Sequence, residues 1–150
     1  MTVLILLHVL AMFIAFAMTA GAGMYLAQMI ESEDVGVIRA ATRVNRRLGM
    51  IGGISLLIGL ILGFAVAGQG GFSMTSTWLV VSYICIVILL ILAFGVLMPY
   101  TGRVYAAAEA SSQAPSPELK ALLANPAPRI AGPLAGVMWL TIIAMMVLKP

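Results

Sequence analysis

The chain has 150 residues, of which 63% are hydrophobic and 9% are charged, whereas soluble domains average about 45–50% and about 25%. That composition excludes a soluble globular domain and indicates an integral membrane protein. The formal net charge of +3 is too small, and too dispersed within apolar sequence, to indicate nucleic-acid binding.

The first apolar stretch covers residues 2–30 and predicts the first membrane span. About 20 apolar residues cross a bilayer core, so a helix over this stretch is long enough to span the core and to project beyond it. It lacks a basic start and exceeds the apolar core of a signal peptide, so we expect it to be retained. Acidic residues up to Asp34, followed by arginines, predict that the next helix begins near Asp34 and runs directly into the second span.

The second and third spans are predicted at residues 48–67 and 78–100, because no charged residue occurs between Arg47 and Arg103. That interval is too long for one crossing and suits two crossings joined by a turn. Glycine and hydroxyl residues collect between positions 68 and 77, which predicts the turn there.

The segment 101–129 is the most polar part of the chain and is expected to form an extramembrane loop, as is the earlier segment 31–47. Within the second loop, Ser116 and Pro117 predict the N-cap and first residue of a short helix. The uncharged residues 130–148 predict a fourth span.

Lysine and arginine side chains predict the orientation. Seven of the eight fall in the segments 31–47 and 101–129, and Lys149 is the eighth. Because cytoplasmic loops are enriched in these residues, we expect both loops to face the cytoplasm and both termini to lie on the outer side. The predicted fold class is therefore all-α: a single four-helix transmembrane bundle, multi-pass in the plasma membrane, with the lipid bilayer as its surroundings.

Small residues at helical spacing predict where the spans pack, because membrane helices associate through close approach. The second and fourth spans carry them at Ser55, Gly59, Gly63, Gly132 and Gly136. The first span carries them near one face at Ala11, Ala15, Ala22 and Gly23. The same residues serve two alternatives: packing within one bundle, or association with other membrane subunits or with a second copy as a homo-oligomer.

His8 is the single histidine, and an ionisable side chain at membrane depth marks a functional-site hypothesis. Imidazole binds haem iron or copper, so His8 is the candidate metal ligand. The alternative is a structural hydrogen bond to a neighbouring helix. Met12 follows one turn later, so the pair is placed to bind one ion. The chain has 11 methionines, whose thioethers suit Cu(I) but also fill apolar packing.

A basic stripe on the predicted second helix comprises Arg39, Arg43, Arg46 and Arg47. Their spacing places them on one side of the helix, next to the membrane. We expect them to bind anionic lipid headgroups.

Two terminal motifs carry a family resemblance: Leu-Leu-His-Val-Leu at residues 6–10 and Met-Met-Val-Leu-Lys-Pro at residues 145–150. With the four-span pattern, they resemble a family of predicted four-helix integral membrane proteins defined by a domain of unknown function. That family looks allied to the copper-resistance D proteins and the membrane protoporphyrinogen oxidases. The resemblance implies that His8 is an axial ligand of haem b and that Lys149 is a second cofactor-binding residue.

The expected function is that of a membrane accessory or subunit protein that acts by helix packing and houses a cofactor such as haem b. No paired carboxylates or Ser-His-Asp arrangement occur in the sequence, which favours a role without catalysis. Two alternatives stand beside it: a haem-dependent oxidoreductase similar to protoporphyrinogen oxidase, and a copper-handling membrane protein.

Overall fold

The structure is a computed structural model and describes residues 1–149. Its elements are α1 (Thr2–Ile30), α2 (Val35–Gln69), α3 (Thr77–Leu92), a π-helical turn (Ala93–Leu97), α4 (Met98–Ala110), α5 (Pro117–Leu123) and α6 (Ala127–Leu148). No strand occurs within these 149 residues. Four helices are long and apolar enough to cross a membrane, with α3, the π-helical turn and α4 counted as one continuous helix. The predicted all-α bundle of four membrane helices is confirmed.

Two helices begin at side-chain caps, one at the predicted N-cap Ser116 and one at Asp34, where the sequence predicts the helix start. The Asp34 carboxylate accepts a hydrogen bond of 3.0 Å from the Val37 N–H at the start of α2. The Ser116 hydroxyl oxygen accepts one of 3.2 Å from the Leu119 N–H at the start of α5. Each cap satisfies an N–H group that has no partner within its own helix.

All four membrane helices are longer than a bilayer core is thick, and two of them exceed it by about 20 Å. At a rise of 1.5 Å per residue, α2 is about 52 Å long, against a core of about 30 Å. The continuous helix from Thr77 also extends to Ala110, so residues 101–110 are helical and do not form a loop. The projecting segments pack with α5 around a buried cluster that comprises Val35, Ile38, Val104, Ala107, Ala108 and Leu119. We call this end of the bundle the loop end.

The bundle consists of two antiparallel pairs, in which α1 packs against α2 and α3 packs against α6. The pairs meet in a central core formed by Ala15, Leu56, Cys85, Ile86, Leu89, Trp139 and Ile142. The Phe16 and Trp139 rings make an edge-to-face contact across it, with 5.7 Å between their centroids. Most large apolar side chains outside this core are exposed, as is appropriate for surfaces that contact lipid.

Glycines on α2 allow α1 to approach closely. A Cβ atom added at Gly52 would lie 2.7 Å from Thr19 Cγ2 and 3.3 Å from the Ala15 carbonyl oxygen. A Cβ atom added at Gly59 would lie 2.6 Å from Met12 Sδ. These separations are shorter than normal contacts, so a side chain at Gly52 would press on the α1 backbone, and one at Gly59 would displace the Met12 side chain.

Both termini lie at the same end of the bundle, because Met1 and Lys149 line one cavity. We call this the terminal end. The turn between α2 and α3, residues 70–76, lies there too. That both termini share one membrane face follows from the even number of spans; that this face is the outer one stays a prediction.

The close contact between α1 and α2 predicts opposite effects for two adjacent glycines. Gly52→Ala should lower the stability of the bundle by about 1–3 kcal/mol, the usual cost of overpacking. Gly53 has no atom within 4 Å of an added Cβ, so Gly53→Ala should leave stability unchanged or raise it by up to about 1 kcal/mol through helix propensity. Thermal unfolding in detergent measures both, and equal behaviour of the two variants would contradict this packing.

The predicted orientation is testable by cysteine labelling. Ser112→Cys at the loop end should react with a membrane-impermeant maleimide only after the cells are opened. Gln69→Cys at the terminal end should react in intact cells. Both positions are exposed, while the natural Cys85 is buried and gives little background. The reverse pattern of labelling would overturn the orientation.

Candidate functional site

His8 connects α1 to α2 through its imidazole ring. The side chain is half-buried, and its Nδ1 atom lies 2.8 Å from the carbonyl oxygen of Gly59. Because a carbonyl oxygen only accepts hydrogen bonds, Nδ1 carries the proton and donates. A neutral imidazole then keeps its lone pair on Nε2, which is available to accept a hydrogen bond or to bind a metal.

Gly63 makes room for this ring. A Cβ atom added there would lie 2.9 Å from His8 Cε1 and 3.2 Å from His8 Nδ1. Any side chain at Gly63 would therefore displace the imidazole and disturb its bond to Gly59. Gly59 thus accepts the hydrogen bond through its carbonyl oxygen, and Gly63 leaves space for the imidazole that donates it.

A cavity of about 390 Å³ lies beside His8 at the terminal end, and we call it the terminal cavity. Its walls come from α1, α2, α3 and the end of α6, and they are mostly apolar. Its volume falls within the range of about 300–1,000 Å³ that is usual for small-molecule sites. The three predicted cofactor-binding residues, His8, Met12 and Lys149, all line it.

Lys149 lies over two aromatic rings at the terminal cavity. Its Nζ atom is 4.9 Å from the centroid of the Phe72 ring and 5.6 Å from that of the Trp78 ring. The two rings meet edge to face. Such cation–π contacts hold the ammonium in place. Sequence reasoning missed Phe72 and Trp78, although an even number of spans places their turn at the same end as Lys149.

Three methionines line the terminal cavity with His8: Met1, Met12 and Met146. Thioether sulfur is a soft donor that suits Cu(I), and imidazole also binds copper. Within residues 1–149 no group of three or more His, Cys, Asp or Glu side chains is placed to hold a metal ion. A soft metal in this cavity would therefore be bound by His8 and thioethers.

The predicted packing residues fall into two groups. Gly59 and Gly63 contact α1, whereas a Cβ atom added at Gly132 or Gly136 on α6 would meet no atom within 4 Å. Ser55 is half-buried. Sequence reasoning missed Gly52, which lies seven residues, or two helical turns, before Gly59 and therefore on the same face.

Arg39, the first residue of the basic stripe, is bonded to α4. Its guanidinium donates to the carbonyl oxygens of Ala108 and Ser111, at 2.9 Å and 3.1 Å. Its Nε atom also lies 3.7 Å from a carboxylate oxygen of Glu109. These carbonyls are at the C-terminal end of α4, where a cation satisfies both the free acceptors and the helix dipole.

The remaining arginines of the stripe are more exposed. Arg43 donates to the Glu109 carboxylate at 3.2 Å, and Arg46 lies over the Tyr105 ring with 4.9 Å to its centroid. Arg47 is exposed to the surroundings. Three of the four residues predicted to bind lipid headgroups are thus also in contact with α4.

Four apolar membrane helices and a core shared by all of them define an integral membrane protein with four spans. The chain belongs to the family described as "Predicted integral membrane protein (DUF2269)", whose model matches residues 2–150. No curated protein and no solved structure matches it. This membership confirms the resemblance to a family of predicted integral membrane proteins that the sequence indicated.

The contacts of Arg39 predict that it stabilises the bundle more than its exposed neighbour does. Arg39→Ala removes two hydrogen bonds from a charged group, which are worth about 1.5–3 kcal/mol each, and should lower the unfolding temperature clearly. Arg47→Ala is the matched control and should change stability by less than about 0.5 kcal/mol. Equal unfolding temperatures for the two variants would show that Arg39 does not hold α4.

Proposed function

We propose that this protein is a membrane accessory or subunit protein whose packed helices hold a cofactor in the terminal cavity. The observation that carries the proposal is the 2.8 Å hydrogen bond between His8 Nδ1 and the Gly59 carbonyl oxygen. Histidines that bind metals usually donate their other ring N–H to a carbonyl or carboxylate, which fixes the ring and its tautomer. His8 has this arrangement before any ligand is considered.

The cavity supports holding a ligand more than transforming one. Its lining includes the imidazole of His8, the ammonium of Lys149 and the phenol of Tyr83, and it includes no carboxylate among the residues described. A general acid–base pair would require a second group of matched pKa within reach of the first. The lining therefore favours an accessory role over catalysis.

Haem b is the first candidate cofactor. It needs an imidazole for its iron, an apolar slot for its ring and cations for its propionates. His8 would bind the iron through Nε2, the apolar walls would contact the macrocycle, and Lys149 would neutralise a propionate. A bound haem supplies one-electron chemistry, while this chain would set its position and exclude water.

Copper is the second candidate, because three methionines share the cavity with His8. Thioether and imidazole ligands favour Cu(I) over harder cations. The two candidates differ in their dependence on Met12, which is a ligand only in the copper arrangement.

The haem and copper candidates are separated by an absorption spectrum and a metal analysis of the protein, purified in mild detergent from native membranes. A haem role predicts a Soret band that His8→Ala abolishes and Met12→Leu preserves. A copper role predicts about one copper per chain, which both variants reduce. A colourless, metal-free wild type would contradict cofactor binding. Co-purification of further subunits with the wild type tests the accessory role separately.

A further inference from the structure

A second cavity lies at the loop end, on the far side of the bundle from His8. It has a volume of about 240 Å³, and we call it the loop-end cavity. One wall is the stretch of the long helix from Gly95 to Arg103, and the other is the junction between α5 and α6. None of its lining residues belongs to the terminal cavity.

Local backbone chemistry accounts for the space at this point. Pro99 has no N–H group, so it cannot donate to the carbonyl oxygen of Gly95, four residues earlier. The chain passes this position through the π-helical turn Ala93–Leu97, which is wider than an α-helical turn. Gly95 adds no side chain, and a Cβ atom there would have no neighbour within 4 Å.

Three polar side chains line the loop-end cavity, and each offers hydrogen-bond donors: Tyr100, Arg103 and Asn125. The Asn125 side-chain oxygen already accepts a bond of 2.9 Å from the Ala127 N–H, which leaves its Nδ2 group as the free end of the amide. The lining contains no carboxylate. A site made of donors and one cation is complementary to an anion that has several acceptor oxygens.

Arg103 differs from the arginines of the basic stripe that contact α4. Arg39 and Arg43 pair with Glu109, and Arg46 lies over Tyr105. Within residues 1–149, the Arg103 guanidinium has neither an ion pair nor a hydrogen bond. Its planar set of N–H donors matches a phosphate group, with which arginine forms short charge-assisted bonds.

The remaining lining residues are apolar, and they include Val96, Pro99 and Leu122. On the long helix, Val96 and Pro99 lie on the side of Arg103 toward the membrane spans, whereas Leu122 lies on α5. A phospholipid presents the same order, with acyl chains below an anionic phosphate. Leaflets rich in anionic lipids attract basic side chains at such positions.

We propose that the loop-end cavity binds a phosphate group, with Arg103 as its cation and Asn125 and Tyr100 as further hydrogen-bond donors. The phosphate belongs either to an anionic lipid headgroup or to free phosphate. This assignment is independent of the terminal cavity and of the cofactor proposed there.

Native mass spectrometry of the full-length protein in detergent tests the site with phosphatidylglycerol as the probe. The wild type should retain the lipid with at least tenfold higher affinity than Arg103→Gln. Lys120→Gln removes an exposed cation from α5, at the same end of the molecule and outside the cavity lining, so it should change the affinity less than about twofold.

Asn125→Asp is a second variant that separates binding from folding. An aspartate oxygen still accepts from the Ala127 N–H, so the start of α6 is kept, while a negative charge replaces the free donor. This variant should unfold at the wild-type temperature and lose most of the affinity. If Arg103→Gln fails to fold, the lipid affinity of Asn125→Asp still tests the site.

Inorganic phosphate distinguishes the two sources. If the headgroup is the ligand, the lipid stays bound in millimolar phosphate; if free phosphate is the ligand, phosphate alone raises the unfolding temperature of the wild type and the lipid does not bind. The lipid binding in the first case, or the stabilisation by phosphate in the second, must disappear in Arg103→Gln and Asn125→Asp. Equal binding of both probes by the wild type and these variants would overturn the proposal.

Discussion

Hydrocarbon offers no hydrogen bonds, and this constraint decides how each polar group in the spans is placed. The Thr19 and Ser82 hydroxyls each donate to the carbonyl oxygen four residues earlier in their own helix, at 2.7 Å. Such bonds satisfy the hydroxyl without help from another helix. The His8 ring has no local partner of this kind and donates instead to Gly59 on α2. That bond fixes α1 against α2 near the terminal end.

The same helix contact serves packing and chemistry. Gly52 and Gly59 let the two helices approach, and Gly63 leaves space for the imidazole that the approach brings to α2. In a membrane, where burial of apolar surface does not drive helices together, such close contacts supply the association energy. The position of the His8 ring beside the terminal cavity is therefore a consequence of how α1 and α2 pack, so the site and the fold depend on one set of glycines.

The membrane spans can be predicted from the sequence because a bilayer core allows few kinds of backbone structure. Long uncharged stretches require helices, and the caps at Asp34 and Ser116 mark two of their starts. Contacts between distant residues are harder to predict, because small residues line more than one helix face. Gly59 and Gly63 contact α1, as small residues at helical spacing predict, but a Cβ atom added at Gly132 on α6 would meet no atom within 4 Å. No local sequence pattern separates these cases. The loop-end cavity depends on how the turn before Pro99 meets α6, which only the three-dimensional arrangement shows.

The proposed site depends on His8 donating from Nδ1 and keeping the Nε2 lone pair for a ligand. Because His8 is the single histidine, nitrogen NMR of protein labelled at histidine reports this ring alone. We expect a proton on Nδ1 and a free lone pair on Nε2, whose signal shifts when a metal or haem binds. A ring protonated on Nε2 and not on Nδ1 would contradict this expectation.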